Sequence, residues 1–124
     1  MIHESGEDYL ETILLLKNKN GSVRSIDVAR ELGYTKASIS RAMSILKKSD
    51  YIAIDAIGQI LLTDKGLEKA NEVYERHKLI TNYLIMTLGV SEEIADQDAC
   101  RIEHVISEQS FEKIKQLINQ NKNI

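Results

Sequence analysis

Residues 26–48, IDVARELGYTKASISRAMSILKK, restrict the fold more than any other stretch of the chain. Two segments with helical apolar spacing flank the pair Gly33-Tyr34. In the first, Ile26, Val28, Ala29 and Leu32 make an apolar face, Ser25 is the expected N-cap, and Gly33 stops the helix because glycine enters the left-handed conformation freely. In the second, Thr35 is the expected cap, and Ile39, Ala42, Met43 and Leu46 recur at helical spacing. Most of the remaining positions of that segment are hydroxyl-bearing or basic. Two helices joined by a short turn, the second of them basic, form a helix-turn-helix, whose second helix is the one that enters a DNA groove.

The flanking sequence extends this unit. Residues 4–18 read as a helix carrying Leu10, Ile13 and Leu14 as its stripe, widened by Tyr9 and Leu16. After residue 50 the period changes: Tyr51, Ile52 and Ile54 precede Asp55-Ala56-Ile57-Gly58, and Ile60 to Thr63 follow. β-Branched residues on both sides of a glycine-containing turn predict a hairpin. A helix-turn-helix followed by a hairpin is a winged helix. From Thr63 or Asp64 to Leu88 the spacing predicts one long helix, ended by Gly89. Ser91 then caps a helix with Glu92 and Glu93 in its first turn and Ala95, Ala99, Ile102 and Ile106 on its buried side. A last short helix uses Phe111, Ile114, Leu117 and Ile118, with residues 119–124 expected to fray. The fold expected is mainly α: a winged helix-turn-helix over 1–63 and an all-helical dimerisation domain over 64–124. Three helices cannot bury all the apolar surface of that second half, and a homodimer interface is its plainest use.

Composition narrows the function. The chain has no proline and 6 glycines among 124 residues, which favours helices. No apolar run approaches a membrane span. One cysteine excludes an internal disulfide framework and suits a reducing cytoplasm. The net charge of −3 gives no hint of nucleic acid, but its distribution does. Lys17, Lys19, Arg24, Arg30, Lys36, Arg41, Lys47 and Lys48 crowd one stretch, opposed there only by Asp27 and Glu31. That asymmetry predicts a basic reading surface attached to an acidic body.

DACRIEHVIS, residues 98–107, is the densest run of metal-ligand types. At about 100° per residue, Cys100, Glu103 and His104 fall within one helical arc beside the Ala99, Ile102 and Ile106 stripe. His77 lies on the apolar stripe of the long helix, between Tyr74 and Ile80. Asp8 and Glu11 stand one turn apart on the first helix, on a side continued by Leu15. Taken singly, each has an ordinary reading: a satisfied core histidine, acids at a helix start, a small buried thiol. Taken together they suit a first-row divalent ion, with carboxylate oxygens, imidazole nitrogens and one softer sulfur. No nucleophile–base spacing, glycine-rich phosphate loop or paired-cysteine motif supports an enzyme.

EDYLETILLL, VARELGYTKASISRAMSILKKSDYI, LTDKGLEKA, RHKLITNYL and DACRIEHVIS follow one another in the order seen in the diphtheria-toxin-repressor family. The chain resembles that family of metal-dependent transcriptional repressors over residues 4–110, and is most similar to its short manganese-regulator branch. The resemblance implies metal ligation by Asp8, Glu11, His77, Cys100, Glu103 and His104. Asp8 is the manganese-branch residue, whereas the iron branch has methionine there; Cys100 is the iron-branch residue, whereas the manganese branch has glutamate. Thr81 and Asp96 stand where relatives with an ancillary site carry Glu and His, so the pattern of that second site is not met. The implied cofactor is Mn(II) or Fe(II), with Zn(II) or Co(II) able to bind in vitro, where affinity order disfavours manganese.

The mechanism expected from the resemblance is metal-dependent repression of metal-uptake genes. The ion neutralises crowded carboxylates, bridges the DNA-binding and dimerisation halves, and fixes the recognition helices of a homodimer for successive major grooves of operator DNA, about 34 Å apart. On the recognition helix Thr35, Lys36, Ser38, Ser40, Arg41 and Lys47 are the polar candidates for DNA contact, with Arg41 able to pair with guanine. Two other readings stay open from the residues alone. One is a winged-helix regulator answering a small organic ligand; the other is a metal-binding interaction dimer. DNA binding indifferent to chelator marks the first, and metal uptake without operator binding marks the second.

Overall fold

A computed structural model of the chain describes residues 4–122. It divides into two compact units, residues 1–71 and 72–124. Six helices and one two-stranded sheet make up the described residues, in the mainly α architecture expected.

In the first unit, α1 (Glu4–Asn20), α2 (Ser25–Leu32) and α3 (Lys36–Lys48) precede the antiparallel hairpin of β1 (Ile52–Ile54) and β2 (Ile60–Leu62). This is a winged helix-turn-helix. Leu10, Ile13, Leu14 and Leu16 of α1, Val28 and Ala29 of α2, and Ile39, Met43 and Leu46 of α3 are buried, whereas Ile26, expected on the apolar face of α2, is exposed at 42%. Gly33 takes the left-handed conformation (φ 72°) that ends α2, and Thr35 caps α3 by accepting from the Ser38 N–H at 3.2 Å. α2 is entered differently from the expectation. Ser25 is its first helical residue and Arg24 holds the cap position, its N–H donating to Asp27 Oδ2 at 2.9 Å. Arg24 is held extended by a bridge to Gln59, which leaves Ser25 free to start the helix.

The wing pairs Ile52 with Leu62, Ala53 with Leu61 and Ile54 with Ile60. Asp55 builds its turn, Oδ1 accepting from Ile57 N–H at 3.1 Å and Gln59 N–H at 2.8 Å. The Ile60 N–H donates to Val23 O at 2.8 Å, tying the wing to the loop before α2. Thr63 then joins the end of α3 to the start of α4 (Asp64–Leu88). Its hydroxyl donates to Asp50 O at 2.6 Å and accepts from Gly66 N–H at 3.0 Å. Lys65 Nζ donates to Ser49 O at 2.8 Å and lies over the Tyr51 ring. A Cβ at Gly66 would stand 1.9 Å from Tyr51 O, so only glycine permits this approach. These contacts place the first turns of α4 in the first unit.

The second unit holds the rest of α4, α5 (Glu92–Ile102) and α6 (Glu108–Lys122) around Ile80, Ala99 and Phe111, with Leu79, Leu84, Ile102 and Ile106 packed against them. Ser91 caps α5 by accepting from Ile94 N–H at 3.2 Å, and Ser107 does the same for Ser110 at α6. α6 is longer than the short helix expected. Of residues 119–124, expected to fray, the helix includes those up to Lys122; the last two lie outside the described residues. Met86, Leu88, Ile94, Val105 and Leu117 of this unit are exposed.

Candidate metal centre and nucleic-acid interface

Glu103 is buried, at 1% exposure, and the side chain of its neighbour His104 is enclosed with it. A carboxylate taken out of water is costly unless partnered. Its partners are two imidazoles: His77 Nδ1 lies 2.8 Å from Oε2, and His104 Nε2 lies 3.2 Å from Oε1. His77 reaches this point from α4, in the turn that also carries Ile80 into the core. Its second nitrogen, Nε2, lies 2.6 Å from Asp96 Oδ1 on α5. The result is a hydrogen-bonded line of Asp96, His77 and Glu103, with His104 set beside Glu103 at ion-pair distance. Cys100, in the last turn of α5, is exposed and brings its Sγ within 4.8 Å of a Glu103 carboxylate oxygen.

The single helical arc expected for Cys100, Glu103 and His104 is only partly realised. α5 ends at Ile102, and Glu103 occupies the cap position with its N–H still donating to Ala99 O at 2.9 Å. His104 follows in a tighter turn, its N–H directed to Arg101 O at 3.4 Å. Arg76 meets the chain where the helix ends: its guanidinium donates to Glu103 O and to Glu108 Oε1, both at 3.0 Å, and lies over the Phe111 ring. The turn gives His104 a direction toward Glu103 that a continuing helix would not.

Asp8 and Glu11 stand in the first unit, half-buried and one turn apart on α1. Asp8 is close enough to Tyr9 to act on it. Burial foremost, then Tyr34 and Asp8, push the Tyr9 phenol above its ordinary value of 10.0.

The donor chemistry fits a divalent first-row ion. A buried carboxylate set between two imidazoles, with a thiol beside it, offers oxygen, nitrogen and sulfur donors in a partly dry place. Two participants are not among the expected site residues, although Asp96 stands where some relatives carry His. Asp96 lies one turn before Cys100 on the same helix, a spacing that could have flagged it. Arg76 carried no signal, since a single arginine on a helix is most often a solvated residue.

The proposed DNA-contacting positions Thr35, Lys36, Ser38, Ser40, Arg41 and Lys47 are all exposed. Thr35 is partly committed: besides capping α3, its hydroxyl lies 3.1 Å from Ser38 Oγ. Ala37, Ser44, Ile45 and Lys48 of α3 are exposed as well, and the sequence reading passed over them. Among the described residues no helix is long and apolar enough to cross a membrane.

Comparison with known proteins bears on both surfaces. Residues 1–56 match the family model of the iron dependent repressor N-terminal DNA binding domain, and residues 63–123 match that of the iron dependent repressor metal binding and dimerisation domain. An uncharacterized HTH-type transcriptional regulator of Methanocaldococcus jannaschii is 32% identical, over 90% of this chain and 90% of its own length. The HTH-type transcriptional regulator MntR of Bacillus subtilis is 31% identical, over 95% of this chain and 82% of its own. Among solved structures, that of the manganese regulator SloR superposes with a TM-score of 0.82 at 25% identity, covering 92% of this chain and 53% of that one. The chain thus spans about half the length of SloR and of several other solved structures it matches. The two sequence relatives are described as transcriptional regulators and the solved one as a manganese regulator.

Proposed function

The chain belongs to the diphtheria-toxin-repressor family of metal-dependent transcriptional regulators, and from that premise we propose that it is a homodimeric repressor of manganese or iron homeostasis acting in the cytoplasm. The observation that carries the metal half of this reading is the buried Glu103 carboxylate between His77 and His104. A protein core rarely accommodates such a group unless it serves a purpose beyond stability. In this reading residues 1–63 read DNA, and residues 64–124 bind metal and dimerise. Asp8 and Glu11 of the first half, and His77, Cys100, Glu103 and His104 of the second, are the ligands. A bound Mn(II) or Fe(II) ion supplies the positive charge that lets these carboxylates share one site; Zn(II) and Co(II) suit the same donors in vitro. Ligands drawn from both halves would restrict the freedom of one against the other and select a DNA-competent arrangement. DNA must then tighten metal binding by the same factor that metal tightens DNA binding.

Thr35, Lys36, Ser38, Ser40, Arg41 and Lys47 are proposed to meet operator DNA. Support comes from their exposure on the second helix of a helix-turn-helix and from the scarcity of acids around them. Arg41 would read a base edge and the lysines would meet phosphates. The deciding test is fluorescence anisotropy of the full chain on its own promoter DNA, first with chelator, then with Mn(II), anaerobic Fe(II) or Zn(II). Binding that requires metal is expected. Equal binding in chelator would sink the metal reading and leave an organic-ligand regulator; metal uptake with no DNA binding would leave an interaction dimer.

A further inference from the structure

α5 grips the imidazole of His77 at both ends. Asp96 and Glu103 lie two turns apart on the same side of that helix, and one faces each ring nitrogen: Glu103 Oε2 at 2.8 Å from Nδ1, Asp96 Oδ1 at 2.6 Å from Nε2. The two carboxylates differ in setting. The Glu103 side chain is fully buried and shares its surroundings with His104 and the Cys100 sulfur, whereas the Asp96 side chain is 64% exposed and meets His77 alone among the hydrogen bonds and ion pairs described. The candidate ligands of this unit therefore gather on the Nδ1 side of the ring.

A neutral imidazole offers a metal one lone pair and keeps one proton on its other nitrogen, which needs an acceptor. We infer that Asp96 is a positioning residue for the metal centre: it accepts the Nε2–H of His77, fixes that tautomer, and turns the Nδ1 lone pair toward Glu103. This inference rests on the metal-binding reading above. It also explains how an aspartate can stand where a ligand was not expected: its carboxylate acts on the far side of the ring and raises the basicity of the nitrogen that ligates. The backbone of His77 is steadied separately, since the Thr81 hydroxyl donates to His77 O at 2.8 Å. The Asp96 carboxylate is 64% exposed, and a polar contact to so exposed a group contributes little to folding. Removing Asp96 should therefore touch the ion and not the fold.

The test titrates Mn(II) calorimetrically into the full-length wild type and into the variants Asp96→Ala, Asp96→Asn, Asp96→Glu and Glu103→Ala, with thermal unfolding of each metal-free protein alongside. Asp96→Ala should weaken Mn(II) binding about 10–100-fold, the range seen when an outer carboxylate is lost from a metal-bound histidine. Its metal-free unfolding should match wild type. Asp96→Asn keeps an acceptor oxygen and should lose less; Asp96→Glu should recover part of the affinity. Long-range proton–nitrogen NMR of the Zn(II)-loaded protein should find the His77 proton on Nε2. Asp96→Ala binding within twofold of wild type, while Glu103→Ala loses the ion, overturns the inference and leaves the metal centre standing. A proton on Nδ1 overturns it too, because Asp96 would then flank the ligating nitrogen. Undiminished binding in Glu103→Ala removes the metal centre, and the role of Asp96 with it.

Discussion

Glu103 concentrates the chemistry of this chain in one side chain. Buried at 1% exposure and set between two imidazoles, it contributes a charge that the folded chain must keep partnered. Glu103→Ala is expected to abolish metal-stimulated DNA binding while sedimentation still finds a dimer; a full metal response in that variant would remove Glu103 from the site. The recognition helix has a comparable residue in Arg41. Its guanidinium is exposed and can pair with guanine through two parallel hydrogen bonds, each such pair discriminating by about 1–3 kcal/mol. Arg41→Ala should therefore bind operator and scrambled DNA more nearly alike. Unchanged discrimination in competition assays would show that sequence is read elsewhere on α3. Asp8, Glu11, His77, Cys100 and His104 were all legible as candidates, but only as residue types at suggestive spacing. Partners at hydrogen-bond distance, such as His77 with Glu103, could not be read, because they join residues far apart in the chain.

At the scale of elements, α4 is the connecting piece. Thr63, Lys65 and Gly66 anchor its start to the end of α3 and to Tyr51, and its later turns carry Arg76 and His77 into the second unit. The approach of Gly66 to the Tyr51 carbonyl leaves no room for a methyl group, and a backbone oxygen cannot swing aside as a side chain could. Gly66→Ala should destabilise the folded chain by about 1–3 kcal/mol, the cost of overpacking. A urea midpoint equal to wild type would mean that the helix start can shift without penalty. The wing and its Asp55-centred turn followed from β-branched residues around a glycine, and the caps at Thr35 and Ser91 from hydroxyls ahead of apolar periods. The entry to α2 did not. Arg24 took the cap position through its bridge to Gln59, a pairing that no local pattern announces.

For the whole molecule, a ligand that binds only the folded state stabilises it by mass action, by about 2.7 kcal/mol at one hundred times its dissociation constant. Mn(II) should therefore raise the melting temperature of the intact protein in calorimetry, and chelator should reverse the rise. A melting temperature indifferent to Mn(II) would argue against a folded-state site. The exposed Met86, Leu88, Ile94, Val105 and Leu117 are consistent with a second copy covering part of the second unit.

The sequence by itself determined the order of the elements, the helix-turn-helix and its wing, the basic bias of the DNA-facing stretch, and the residue types available to a metal. These are local properties, set by periodicity, capping and composition, and each is complete within a short window of chain. Tertiary structure decided that Arg76 from another helix meets the Glu103 carbonyl just past the end of α5 at Ile102. It also decided that the side chains of Glu103 and His104 are fully buried together, and that Asp96 engages the far nitrogen of His77. Burial and long-range pairing depend on which helices pack together, and no window of the sequence contains both partners.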